Sequence, residues 1–162
     1  MVVAIIGGIA SSCGGGSKGT DGQDAADIPT SSSVADVGLS DTAAAVRDWY
    51  SQNGDSQITA ISADLTTISG SAGDVDFSGM LSNCISLQSD VADAQAAAPI
   101  PDDATQGHWA TALDDFSNAA ADCITGTSAY DSDLIARSGQ ELDAGGTELT
   151  LAAARVGELA DN

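Results

Sequence analysis

The sequence predicts an all-α protein, an antiparallel bundle of four or five helices. Aromatic residues make up 4% of the 162-residue chain and alanine is abundant. Proline occurs only at Pro29, Pro99 and Pro101, so beyond residue 40 a single short segment interrupts a helical reading. From Ser40 onward, apolar residues recur at three- and four-residue spacings, the period of one helix face. The length suits one modest domain, large enough to bury a core.

What precedes that pattern is different in texture. Val2 to Ala10 is an apolar run of nine residues, the size of a signal-peptide core and far too short to span a bilayer. The "ASSC" that follows resembles the lipobox of bacterial lipoproteins, in which small residues precede a cysteine that is acylated and becomes the first residue after cleavage. Here Ile9, Ala10, Ser11 and Ser12 fill the upstream positions and Cys13 the lipidated one. The resemblance implies a signal-peptide-like segment at 1–12, export, and a lipid anchor at Cys13 on the extracytoplasmic side of a cell membrane. One departure is that Met1 runs directly into the apolar stretch with no Lys or Arg to orient it. The alternative reading makes "VVAIIGGIA" a buried first strand and Cys13 an ordinary thiol. Residues 13–39, rich in Gly, Ser, Thr and Asp, read as a flexible tether. Their "GGGSKGT" is not a phosphate-binding loop, because Lys18 follows Ser17 rather than a glycine that opens a helix.

The domain proper is predicted over 40–162. "SDTAAAVRDWYSQNG" offers Ser40 as an N-cap, Val46 and Trp49 on one face, and Asn53-Gly54 as a stop. Ile58, Ile61, Leu65 and Ile68 stripe a second helix that ends at "SGSAG". A third, from about Asp74 to Ala97, carries Phe77, Leu81, Cys84, Gln88 and Val91. "APIPDD" breaks the chain, since a proline disfavours helix in the residue before it. The fourth helix places Trp109, Ala112, Phe116, Ala120 and Cys123 on one stripe. The last, roughly Ser128 to Ala160, repeats Leu134, Ser138, Leu142, Gly145, Leu149, Ala152, Val156 and Leu159. Near-heptad stripes with many Ala and Gly positions predict close antiparallel packing.

With Cys13 assigned to lipid, Cys84 and Cys123 remain, on the inner stripes of helices joined by one hairpin, and their pairing as a disulfide is expected. The pair can meet only if "PIPDD" projects roughly 10 Å beyond the third helix, which extended backbone can do. The spacing of Trp49, Cys84, Leu87, Asp90, Val91, Ala94, Pro99, Ile100, Pro101, Asp102, Trp109, Ala112, Leu113, Ala120 and Cys123 resembles a group of exported helical proteins of high-GC actinobacteria without an assigned activity. That resemblance covers about 45–160 and implies an envelope location and a helical bundle, but no reaction.

Four basic residues stand against 24 acidic ones, a formal net charge of −20. No basic patch exists to displace phosphate counterions, which argues against nucleic-acid binding, and anionic headgroups would repel the folded part. Asp74, Asp76, Ser78 and Gly79 match the first half of an EF-hand calcium loop, but Ile85 stands where a bidentate Glu is needed, so Asp74 and Asp76 read better as charges at a helix start. His108, the single histidine, could act as a general base or metal ligand beside Asp102, Asp103 or Asp114, but reads more simply as a surface residue. Trp49 and Trp109 could stack a ligand ring, yet their stripe positions are those of core residues. A four-helix di-metal site needs Glu-x-x-His pairs, for which Glu141, Glu148, Glu158 and one histidine do not suffice. The expectation is a non-enzymatic, cofactor-free binding or shielding module of the cell envelope, anchored to the membrane through Cys13, with a protein partner in the envelope. Alternatives are a cation- or small-ligand-binding lipoprotein and an exclusion or immunity lipoprotein of a mobile element.

Overall fold

The computed structural model describes residues 33–160, and Cys13 with the rest of 1–32 lies outside the described residues. Among the described residues every regular element is helical: α1 Ser33–Trp49, a π-helical turn Tyr50–Gly54, α2 Asp55–Gly73, α3 Phe77–Ala96, α4 Asp103–Ala129 and α5 Ser132–Ala160. Short turns join α2 to α3 and α4 to α5, and 97–102 joins α3 to α4, so α2 to α5 run antiparallel in succession. The antiparallel helical bundle read from the sequence is the fold.

Two local expectations are corrected. Helix α1 begins at Ser33, within the stretch read as tether, and Ser40 lies inside it rather than capping it. Good cap residues are only mildly unfavourable in a helix interior, where their hydroxyls can bond back to the chain, as Thr42 does to the Gly38 carbonyl at 3.0 Å. Nor does Asn53-Gly54 end a helix. Trp49, Gly54 and Asp55 all keep right-handed helical dihedrals, and the Asp55 N–H reaches the Tyr50 carbonyl in a π-type turn. Gly54 is needed for space, because the Trp49 ring lies on it and a Cβ there would collide with the ring. α1, the π turn and α2 therefore form one continuous helical path.

The core is built in two levels. Ile61 and Ile68 of α2, Met80, Cys84, Leu87, Val91 and Ala94 of α3, and Leu113, Phe116, Ala120 and Cys123 of α4 are buried together. Helix α3 buries Leu87 and exposes Gln88, so its inner face is turned by one residue from the expected Leu81–Gln88 stripe. On α4 the expected stripe of Trp109, Ala112, Phe116, Ala120 and Cys123 is buried throughout. Above α3, Trp49 meets Trp109 edge-to-face at 6.0 Å and donates its indole N–H to the Ala98 carbonyl at 2.8 Å. α1 packs there on α5.

Cys84 and Cys123 are disulfide-bonded, with Cα atoms 6.2 Å apart. From that bond α3 runs on for about 18 Å and α4 reaches back about 30 Å at 1.5 Å per residue. The segment 97–102 takes up the difference as extended backbone at Ala97 and Asp102 around the buried Ile100. Helices α4 and α5 make the most extensive contact in the bundle. Small residues face each other across it: the buried Ser138 hydroxyl donates to the Ala119 carbonyl at 2.8 Å, and Gly145 lies against the Phe116 ring and the Ala112 carbonyl, leaving no room for a Cβ.

Candidate functional site

Polar side chains gather along the α4–α5 seam. Asp102 caps α4, accepting from the Thr105 N–H at 2.9 Å and its hydroxyl at 2.7 Å, and it also holds Arg155 of α5 at 3.3 Å. Burial pushes the Asp102 carboxyl up, but the Arg155 guanidinium and the two Thr105 donors outweigh it and hold the group below the usual carboxylate range. His108 Nδ1 lies 2.7 Å from Glu148 Oε2. Further along, Arg137 makes a two-pronged pair with Asp122, its second nitrogen at 2.7 Å from Asp122 Oδ1, and holds that carboxyl down. These three pairs tie α5 to α4; the His108–Glu148 pair is a seam contact before it is anything chemical.

Each residue singled out in the sequence now has a place. His108 pairs with Glu148 rather than with Asp102, which serves Arg155, or Asp114, which accepts from Gln95 at 3.2 Å. Trp49 and Trp109 are 8% and 4% exposed and pack on each other, so neither ring offers a free stacking face. Asp74 is the C-cap of α2. Asp76 is the N-cap of α3, accepting from the Gly79 N–H at 3.0 Å, and Ser78 and Gly79 lie inside α3, where no loop exists to wrap a cation. Among the described residues no group of three or more His, Cys, Asp or Glu side chains is arranged to hold a metal ion.

Three features escaped the sequence reading. The first is a half-open groove of about 430 Å³ between α2 and α5, with apolar Ile68, Met80, Ile135 and Leu142 beside polar Ser69 and Asp143 in its lining. The second is Asp64, buried at 9% exposure on α2, with Oδ2 lacking a hydrogen-bond partner. Burial raises its carboxyl pKa, opposed by the Ser86 hydroxyl and reinforced by Asp90 across the α2–α3 contact. Its position in the run Ile61, Asp64, Leu65, Ile68 was a legible signal, since the residue lies on the inner stripe. A carboxyl whose pKa is raised by folding binds protons better in the folded state, so its contribution falls as pH rises from the unfolded carboxylate range through the folded value. Asp64→Asn, which keeps the shape and can donate to Asp90, should therefore raise stability at pH 7 by about 1 kcal/mol. That gain should vanish below the carboxylate range, and urea melts of both proteins across pH would show it; a gain independent of pH would refute the account.

The third feature is the tip formed by the two short turns. Val75 and Tyr130 are the described non-glycine residues with left-handed backbone, at φ 57° and 56°. Both side chains are exposed. The ring of Phe77 meets that of Tyr130 at 5.3 Å, which joins the α2–α3 and α4–α5 turns. The signal in the sequence was the lack of a glycine or asparagine at the stop in "SAYDS". No helix among the described residues is long and apolar enough to cross a membrane. Comparison with protein-family models, with curated proteins and with solved structures finds no match to the chain.

Proposed function

We propose that the protein is a lipoprotein of the cell envelope, held on the outer face of a membrane by acylated Cys13, whose acidic helical domain is a non-enzymatic binding module. The observation that carries the reading is the use of the cysteines. Cys84 and Cys123 are bonded in the core at 0% and 3% exposure, a pairing typical of oxidising compartments outside the cytosol. That accounts for two of three cysteines and leaves Cys13, the one at the lipobox-like "ASSC". The polar groups of the domain support binding over catalysis: His108, Arg137 and Arg155 join helices to one another, and the two tryptophans fill the core. The charge of −20 directs the module toward cationic rather than anionic partners.

Fractionation of cells expressing the chain tests the anchor. Two or more acyl chains give stable attachment whereas one short chain binds only marginally, so the wild type should partition with membranes and Cys13→Ser should be released. The mature mass should correspond to cleavage before Cys13 plus lipid. Membrane retention of Cys13→Ser at the wild-type level would remove the anchor from the proposal. A second reading, binding of a small ligand, draws on the half-open groove of about 430 Å³ between α2 and α5.

A further inference from the structure

Helix α2 packs along α3 and follows the π turn, without comparable packing on α4 or α5. It buries Ile61, Asp64 and Ile68, so one of its three enclosed side chains is a carboxylate, whereas α3 buries Met80, Cys84, Leu87, Val91 and Ala94. A segment with so few buried apolar contacts opens at lower cost than the whole domain. Asp64 is 9% exposed, and its Oδ2 is closed to solvent and lacks a hydrogen-bond partner. What faces it across the contact follows from the helix register. Asn83 of α3 donates to the Ser71 hydroxyl of α2 at 3.1 Å. Two helical turns back along α2 and two turns forward along antiparallel α3 bring Asp64 level with Asp90, each on the same face as its helix's member of that bond.

Neither α2 nor α3 contains Lys, Arg or His, so no basic side chain on these helices neutralises the two carboxyls. Ser86, one turn before Asp90, offers a hydroxyl. Asp93, the next acidic residue of α3, is exposed, and Tyr50 of the π turn is engaged with Asp55 at 2.9 Å. An enclosed Oδ2 admits a proton but not a hydrated cation. We propose that α2 is a proton-gated flap: in acid Asp64 and Asp90 share one proton across the α2–α3 contact and hold α2 shut, and release of that proton to solvent as pH rises leaves two facing carboxylates that favour its opening. Two carboxyls sharing a site cannot both ionise without cost, which is why the shared proton is retained above the ordinary carboxylate range. The stabilisation is complete below the unfolded carboxylate pKa and is lost as pH climbs through the folded value. Because α2 forms one wall of the half-open groove, its opening widens that groove toward Met80 and Cys123. The device requires neither lipid on Cys13 nor the binding-module reading.

Amide hydrogen exchange of the full chain, followed by NMR and corrected for intrinsic chemistry, tests it. The ratio of α2 opening to α4 opening cancels any general effect of acidity on the domain. Between about pH 4 and pH 7 that ratio should rise about fivefold in the wild type. Asp64→Asn and, separately, Asp90→Asn should each flatten the rise, because an amide can donate to the remaining carboxylate and leaves no pair to share a proton. Asp93→Asn, at the exposed acid of the same helix, should leave it as in the wild type. A wild-type ratio that does not change with pH, or a rise that persists in both Asp64→Asn and Asp90→Asn, would overturn the proposal. A rise flattened equally by Asp93→Asn would overturn it too, since general repulsion along α3 would then explain the opening.

Discussion

Reduction of the Cys84–Cys123 bond should lower the stability of the domain by about 4 kcal/mol, the loop-closure value for a separation of 39 residues. For a domain of this size that corresponds to a drop in Tm on the order of 15 °C. The loss is large against the usual 5–15 kcal/mol of net stability, and the composition makes it larger in proportion. Two of the α4 residues facing inward, Ala112 and Ala120, are fully buried alanines, and α5 meets α4 through Ser138 and Gly145, so each helix buries little apolar area per residue. The bond also ties α3 to α4 within the same buried core cluster as Leu87 and Phe116. Urea denaturation with and without reductant measures the effect, with Cys84→Ala/Cys123→Ala as the second route to the same loss. A midpoint that reductant leaves in place, or quantitative alkylation of both thiols in protein prepared from an oxidising compartment, would refute the staple and weaken the exported reading with it.

What could be read from the sequence follows from which interactions are local. The α4 stripe was legible because its inward positions alternate large and small apolar residues at helical spacing, and nothing in Trp109 to Cys123 competes with that pattern. The disulfide was legible because two cysteines sat on inner stripes of helices joined by a single hairpin. On α3 the register was misassigned by one residue: Leu81, Ile85 and Leu87 are all apolar, and only the neighbours decide that Leu87 turns inward while Ile85 stays 52% exposed. His108 found Glu148, a residue 40 positions away whose proximity depends on how α5 lies along α4. The tip escaped for the same reason. The missing glycine in "SAYDS" marks one turn, but Phe77 and Tyr130 are 53 positions apart, and nothing local says that the bundle brings their rings together.

Truncating Trp49 should be the most damaging single change to the upper core, at about 3–5 kcal/mol for Trp49→Ala. The indole is 8% exposed, packs edge-to-face on Trp109, and supplies the N–H that the Ala98 carbonyl accepts where the chain leaves α3. Its removal thus loosens α1, the α3–α4 connection and the second turn of α4 together. Gly54 gives this prediction its internal control. In an ordinary helix interior Gly→Ala stabilises by about 1 kcal/mol, because alanine restricts the unfolded chain and favours helical dihedrals. Gly54 already has such dihedrals, so propensity alone says that Gly54→Ala should help. The ring of Trp49 lies where the new methyl would go, and a buried indole wedged against Trp109 cannot swing aside. Gly54→Ala should therefore destabilise the wild type by roughly 1–3 kcal/mol, the usual penalty of overpacking. In the Trp49→Ala background the obstruction is gone, and the same substitution should stabilise by about 1 kcal/mol. Urea melts of the four proteins give the coupling directly. A Gly54→Ala effect of the same sign in both backgrounds would mean that the π turn at Tyr50–Gly54, rather than the tryptophan packed over it, dictates the glycine.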